Sequence, residues 1–414
     1  MVCKHFFSNQ CSFDERLQVK KMKILYLTLE NLSLHKGSVV HIKEVIGGLR
    51  ERGHWVGLMA RSSTQVEDAD HFYNLRSKSP FLKGCSQSGR GSYAVSAVLL
   101  FLYLLKVLPE YDVIYARDYH TVMIALLPRI ICRRKLVFEI NGLASEELRL
   151  KENSCSNRIL VILVQSAERL ATKFSDRVIS VTTQIAAYIV DFFHCDPNKV
   201  KVVQNGVNTK KFYPIQDVAI LAEWKEKLGV SKEEIIIAFI GNLAPWQGVD
   251  YLIQVAPFLI KEFKNIRVLI VGDGILRDQL EKEVNSLGVS DHFLFTGMVH
   301  YDEIPLYINI ADICILPKRR LKSGYSPIKL YEYMACGKPI ISSRVDGLEF
   351  IEPEGIGILT EPGNINDIQC ALLTLIQNPE KRREMGERGL RLARERFDWK
   401  QKVAEIERIL LELA

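Results

Sequence analysis

The strongest constraint on this chain is a pattern that runs through it twice: a short apolar run, a glycine- or asparagine-bearing loop, a helical stretch, and another apolar run. Residues 22–29 (MKILYLTL) lead through NLSLHKGSVVH into a helical pattern ending at Arg52, and residues 55–59 (WVGLM) open the next strand. Runs that are apolar on both faces suit a parallel sheet covered by helices on each side. Each strand–helix–strand passage is then one βαβ unit. Gly37 lets the backbone come close to a ligand at the start of the first helix. The G-x-G-x-x-G spacing of dinucleotide binders is absent there.

From Tyr111 the alternation resumes, with strands predicted at 113–116, 135–140, 177–181 and 200–203 and helices at 119–129, 159–174 and 182–193. Residues 62–93 are polar and turn-rich and are expected to form loops and short elements. Asn205-Gly206 predicts a turn and Pro214 ends the extended segment. The pattern then restarts, with strands at 234–240, 267–271, 292–295 and 312–316 and helices at 251–263, 276–287 and 303–310. Helices at 365–376 and 383–395 and one in FDWKQKVAEIERILLEL follow. A chain of 414 residues exceeds one ordinary core. The expected fold class is therefore α/β, with two Rossmann-like domains facing a cleft. The first is expected over 22–210 and the second over 211–396, after a polar extension at 1–21.

Charge is uneven between the halves. Residues 1–210 carry 29 Lys+Arg and 19 Asp+Glu, a net of +10, whereas 211–414 carry 26 and 30, a net of −4. No zinc-finger spacing, basic heptad helix or aromatic RNA-binding signature accompanies the basic half, so nucleic acid is not the expected partner. A phosphate-bearing substrate or an anionic membrane surface fits that half better. The twelve apolar residues 94–105 (AVSAVLLFLYLL) are too few to span a bilayer. They read as a buried helix or as an interfacial one beside Lys83, Arg90 and Lys106. Nine scattered cysteines without a CxxC pair point to reduced thiols in a cytoplasmic protein and to no zinc site.

The candidate site lies in residues 323–342, SGYSPIKLYEYMACGKPIIS. Ser326 is a good N-cap and Pro327 suits the first helical position, while Gly337 can close the helix. Lys329 and Glu332, three apart, share one face. The helix start offers backbone N–H groups and a positive dipole end to phosphate, with Lys329 to neutralise it and Glu332 to accept from a sugar hydroxyl. The competing reading is a capped helix with one surface ion pair. Ligands of parallel sheets bind beyond the carboxyl ends of the strands, which groups the loops 241–248, 272–274, 297–300 and 317–325 around Ser326.

Those loops carry a family resemblance. The segments EYMACGKPII, VVQNGVNTKKF, FIGNLAPWQGVDYLI, LIVGDGILRDQL with FTGMV, and RERFDWKQKV resemble the retaining GT-B glycosyltransferases of family 4 (glycosyl transferases group 1) from Met22 onward. The resemblance implies transfer of a sugar from a UDP- or GDP-linked donor to a hydroxyl acceptor, lipid-linked or glycan, with retention and without a metal ion. It places Glu332 on the nucleotide ribose, the helix from Ser326 on the diphosphate, and Gly37 across the cleft. The final helix, 397–414, is expected to return to the first domain. A peripheral position on the cytoplasmic membrane face follows as an expectation.

Departures from the family pattern are specific. The first glutamate of its E-x7-E motif falls on Gly324, and its Arg and Lys after the first strand of the second domain fall on Asn242 and Gln247. Lys329 is then the main expected counter-charge, with Lys318, Arg319 and Arg320 as further candidates. A histidine common in the family falls on Asn141, with Glu139 two residues earlier. Glu139 and Asn141 either orient the acceptor or donor sugar or simply bond the next loop. Arg117, Asp118 and His120 line the acceptor site, or Arg117 pairs structurally with Asp118, and His41 faces either the cleft or the helix surface. Trp246 either covers the donor base or fills the domain surface. The D-x-D within Glu67-Asp68-Ala69-Asp70 reads as a solvated acidic cluster. Three rivals stay open: a non-catalytic partner subunit of this fold, a sugar-nucleotide epimerase, and nucleic-acid binding by the basic half.

Overall fold

The computed structural model describes residues 20–34, 36–62, 66–75, 90–149 and 155–413. The extension before Lys20 and the flanking Lys83 lie outside them. The chain opens with β1 (Lys23–Asn31), α1 (Gly37–Glu51), β2 (Trp55–Arg61), β3 (His71–Asn74), α2 (Arg90–Val107) and β4 (Val113–Ala116). It continues through α3 (Tyr119–Cys132), β5 (Lys135–Ile140), α4 (Ala144–Arg149), α5 (Cys155–Phe174), β6 (Arg177–Ser180), α6 (Thr183–Asp191) and β7 (Val200–Val202). The second half comprises α7 (Val218–Lys227), β8 (Ile235–Ile240), α8 (Val249–Glu262), β9 (Ile266–Val271), α9 (Arg277–Ser286) and β10 (Phe293–Gly297). After these come α10 (Ile304–Ile310), β11 (Ile313–Leu316), α11 (Ile328–Ala335), β12 (Ile340–Ser343) and β13 (Gly357–Thr360). Three helices close the chain: α12 (Ile365–Ile376), α13 (Pro379–Arg396) and α14 (Trp399–Leu411).

Among the described residues the strands form two parallel sheets, in the orders β3-β2-β1-β4-β5-β6-β7 and β10-β9-β8-β11-β12-β13. The expected class of two Rossmann-like α/β domains holds. Alternate residues of each strand feed the two faces. In the first sheet Leu25, Ile114 and Phe138 enter one core and Ile24, Tyr115 and Val137 the other. In the second, Ile237, Phe239 and Ile315 face one side and Ile236, Ala238 and Leu316 the opposite one. Order reverses between β1 and β4 and between β8 and β11, the switch points where such sheets open a crevice beyond their strand ends.

The last helix leaves the second domain. Trp399, Val403, Ile406 and Leu410 fall at i, i+4, i+7 and i+11 of α14 and join the core under α1. Burying each contributes about 1.5–3 kcal/mol. Gly48 of α1 permits the approach, since a Cβ there would come within 2.6 Å of Val403. Buried Glu407 of α14 accepts a 2.8 Å hydrogen bond from His54 and pairs with Arg52.

Two local expectations change. Within the stretch expected as loops, β3 adds a polar edge strand beside β2, and α2 starts at Arg90. The helix expected to begin at Ser326–Pro327 begins at Ile328, with Pro327 at its cap and no side-chain cap bond. Gly337 closes it at φ +67°, where a Cβ is disfavoured. No helix among the described residues is long and apolar enough to cross a membrane.

Candidate functional site

A cavity of about 850 Å³ opens between the two sheets, at the carboxyl ends of β8 and β11. Its walls are the start of α1 around Gly37, the loop Gly241–Asn242 with Gln247, the segment from Val299 to Ile304, the first turns of α11, and the start of α14. Gly37 faces α11 across the space, and a Cβ there would stand 3.6 Å from Ile328.

Lys329 and Glu332 both line this cavity, one turn apart on α11. The two do not form the surface ion pair of the competing reading. Glu332 is 5% exposed and accepts a 2.9 Å hydrogen bond from the Tyr301 hydroxyl. Burial pushes its carboxyl up to about 7, against the opposing pull of Tyr301 and Lys329. The Lys329 ammonium lies 4.2 Å above the Phe239 ring and 3.3 Å from Gln247 Oε1. Burial pulls it down to about 7, with Glu332 partly restoring the charge. Its position depends on Gly241, where φ is +139° and a Cβ would fall 2.2 Å from the ammonium.

Asn242 and Gln247 sit in the cavity wall where the sequence placed them. Neither is charged, but Gln247 Oε1 also accepts from Lys318, which is 2% exposed and sits 4.8 Å from the Tyr325 ring. Arg319 and Arg320, the other expected counter-charges, are engaged elsewhere: Arg319 with Asp250 and Tyr251, Arg320 with Glu361. Trp246 packs against the second-domain core rather than covering the cavity.

Ser326 is a correction. Its hydroxyl does not cap α11; it accepts from the Asn205 backbone N–H at 3.0 Å, and the Asn205 side-chain amide donates to Ser326 O at 2.6 Å. Asn205, expected only as a turn residue, therefore ties the start of α11 to the first domain. Neighbouring residues do the same, with Thr182 donating to Ser323 O at 2.8 Å and Glu146 accepting from Ser323 N at 2.9 Å. Gly324 stands inside this contact at φ +62°, and a Cβ would lie 3.0 Å from both Asp346 O and the Gln184 side chain. A glutamate at this position would be strained by the positive φ and would need the Gln184 side chain of the first domain to shift.

Glu139 is a second correction. It is not in the cavity wall but is sealed at 1% exposure behind α1, paired with His41 Nε2 at 2.5 Å. His41 is buried as well, and its Nδ1 lies 2.7 Å from Asn205 Oδ1. Burial alone would raise the Glu139 carboxyl, but His41 and Arg117 overcome it and hold the group at about 2. A continuous line thus runs Glu139–His41–Asn205–Ser326, from the first sheet to the start of α11. Asn141 donates to Glu139 at 2.8 Å and lines a second cavity.

That second cavity, of about 810 Å³, lies beyond β1, β4 and β5 and meets the first at Leu34 and Lys36. Arg117, Asp118 and His120 line it together with Arg61 and Glu168. Asp118 also caps α3 through Thr121 N at 3.0 Å, and lies 3.6 Å from His120 rather than pairing with Arg117. The D-x-D is not simply solvated. Asp70 binds Arg50 and the Val56 N–H, whereas Asp68 lines the first cavity. Among the described residues no group of three or more His, Cys, Asp or Glu is placed to hold a metal ion. Tyr301, Lys211 and Asn205 reach the site without having been expected there; Lys211 lies 3.8 Å over the Tyr301 ring.

Residues 35–211 match the family described as Glycosyltransferase Family 4, and residues 222–391 match Glycosyl transferases group 1. An uncharacterized glycosyltransferase of Methanocaldococcus jannaschii is 31% identical over 276 residues, 63% of this chain and 64% of that relative, so the match spans just under two thirds of its length. Among solved structures, sucrose-phosphate synthase from Thermosynechococcus elongatus superposes with a TM-score of 0.77 at 18% identity, covering 95% of this chain and 99% of that one. Anabaena HepE in complex with UDP and glucose gives 0.73 at 19% identity, covering 94% and 99%. Both likenesses are of fold, two facing Rossmann-like domains in the GT-B arrangement.

Proposed function

Because the chain is built from a Glycosyltransferase Family 4 region followed by a Glycosyl transferases group 1 region, we propose that it transfers a sugar from a UDP- or GDP-linked donor to a hydroxyl acceptor with retention of configuration. The observation that carries this is the pair Lys329 and Glu332 facing one interdomain cavity from the start of α11. The helix start and Lys329 receive the diphosphate, whose charge grows as the sugar leaves. Glu332, held by Tyr301, accepts from the ribose hydroxyls. With lysine supplying the counter-charge, no metal ion is required, and activity should survive chelation by EDTA. The second cavity, with Arg61, Arg117 and Asn141 in its wall, is the acceptor side.

Calorimetry with UDP, GDP and pyrophosphate tests the donor site. UDP or GDP should bind, and Glu332→Ala should weaken the nucleotide about tenfold or more while changing pyrophosphate much less. If neither nucleotide binds, the chain is a partner subunit rather than an enzyme. A nucleotide-sugar panel incubated without acceptor separates the epimerase, which would release an altered sugar.

The acceptor proposed is lipid-linked or borne on a glycan at a membrane's cytoplasmic face, a location that suits the free thiols of Cys132, Cys195, Cys314, Cys336 and Cys370. The supporting observation is the outer face of the first domain. Ile159, Leu163, Leu170 and Phe174 are exposed along α5, as are Ile130 and Ile131 of α3 and Leu102 of α2, and α3 packs against both other helices. These three helices carry six basic residues and one acidic one, the buried Glu168. Apolar surface in a basic frame matches an anionic lipid interface. The protein should co-sediment with vesicles containing phosphatidylglycerol and detach as salt rises. Ile159→Glu with Leu163→Glu should reduce binding at least tenfold, since each buried side chain contributes about 1.5–3 kcal/mol. A parent protein left in the supernatant at low salt would remove the membrane from the proposal.

A further inference from the structure

The donor cavity contains one feature that its assignment to a nucleotide sugar does not explain. Two lysine ammoniums, from different loops, converge on a single neutral oxygen. Lys329 Nζ stands 3.3 Å from Gln247 Oε1, and Lys318 donates to the same atom. No carboxylate pairs with either ammonium within ion-pair distance among the described residues. Lys318 is nearly sealed from solvent, yet it lines the cavity, at the switch point just after β11. Burying an ammonium without a counter-ion is costly, and one amide oxygen shared between two ammoniums does not offset that.

We propose that Lys318 and Lys329 form a two-lysine clamp for the diphosphate, with Gln247 holding the place of the anion in the empty site, and that the clamp takes up a proton as the anion enters. The proposal rests on the donor reading above and adds to it both a second cation and a linked proton. The chain has thereby moved its counter-charge. Gln247, in the loop after β8, is uncharged, and the lysines reach the same point from the loop after β11 and from α11.

The electrostatics agree with the geometry. Burial and mutual repulsion lower Lys318 well below the ordinary lysine range, and burial lowers Lys329. The charged groups around them are few. Glu332 lies one turn along α11, and Lys211 and Glu44 act on that carboxylate from across the cavity. Behind Lys318, Arg319 and Glu146 act on Tyr325, from the second and first domains respectively. None of these is placed to satisfy both ammoniums. A diphosphate carries enough negative charge to hold both lysines protonated. The proton that the pair lacks when empty then comes from solvent, and no bond is made or broken.

The test is titration calorimetry of the full chain with UDP, GDP and pyrophosphate near pH 7.5, in two buffers of different ionisation enthalpy. The parent should take up a substantial fraction of a proton for each diphosphate bound, and none on binding uridine. Lys318→Met should weaken UDP and pyrophosphate about tenfold or more and reduce the uptake to the part that Lys329 alone supplies. Gln247→Glu supplies a second test that does not remove a buried group. A carboxylate there charges both lysines in the empty protein, so uptake should vanish and pyrophosphate should weaken at least tenfold, while the melting temperature is held or raised. Nucleotide binding without proton uptake, together with parent-like affinity in Lys318→Met, would overturn the clamp and leave the donor site standing. Failure of UDP and GDP alike to bind would instead remove the donor site itself.

Discussion

Methionine in place of Lys329 should lower kcat about 10²–10³-fold, the loss usual when one preorganised donor to a developing oxyanion is removed. Methionine keeps most of the side chain's length, so packing over Phe239 and against Gly241 should survive and melting should change little. Arginine should not rescue turnover. Its planar fork is wider than an ammonium, and the ammonium already lies where a Cβ on Gly241 would fall. The pH profile gives a second readout. In the empty protein burial holds Lys329 at about 7 and Glu332 at about 7, and the proposed mechanism needs the first protonated and the second ionised. The profile of kcat/KM for the donor should therefore be a narrow bell around pH 7, whose limbs belong to the pair. Once the diphosphate is bound, its charge favours the ammonium, so the alkaline limb of kcat should move to higher pH. In Lys329→Met the alkaline limb that Lys329 supplies should be lost. Unchanged kcat in that variant would show that the leaving group is stabilised elsewhere.

The helix that carries this lysine was legible because its signals are local. Pro327 and Gly337 bracket it, and Lys329 and Glu332 share a face by spacing alone. The role of Ser326 was not legible. A serine before proline scores as a cap on local grounds, but its hydroxyl is drawn off by Asn205, 121 residues away in sequence. Gly324 gave a similar false impression, since it reads as a lost acid until Gln184 and Asp346 are seen to occupy the space beside it. Lys318 looked no better than Arg319 or Arg320 beside it. Only burial and the shared Gln247 oxygen single it out.

The fold was easier to read than the site for a related reason. Buried parallel strands announce themselves as short β-branched runs, and most strands of both sheets are such runs. Several elements escaped, among them α4, α7 and the two edge strands β3 and β13: β3 has no buried residue, so its sequence HFYN has no apolar alternation to detect, and β13 is only the four residues GILT. The contacts that bring α11 against the first domain pair small polar groups over long separations, and no periodicity encodes them.

Removing the Glu139 side chain should cost the first domain about 3–5 kcal/mol, the range for stripping one partner from a buried ion pair. For a unit of this size, that lowers its melting temperature by about 10 °C. Glu139→Gln, which keeps the shape and an acceptor for Asn141, should cost less. The acid dependence fixes the sign. The folded carboxyl titrates at about 2 against an ordinary 4.5, so its stabilisation is present above about 4.5 and is lost as pH falls through about 2. The gap between parent and Glu139→Gln should therefore be full at pH 6 and shrink toward pH 2. Glu139→Ala should also reach the proposed donor site, because His41 loses the partner that orients it toward Asn205, and Asn205 holds Ser326 at the mouth of α11. UDP should bind more weakly to Glu139→Ala even at temperatures where the domain is fully folded. Parent-like UDP affinity in a destabilised Glu139→Ala would mean that the buried line only braces the first domain. A weakened site in a folded variant would mean that it also sets where α11 meets the donor.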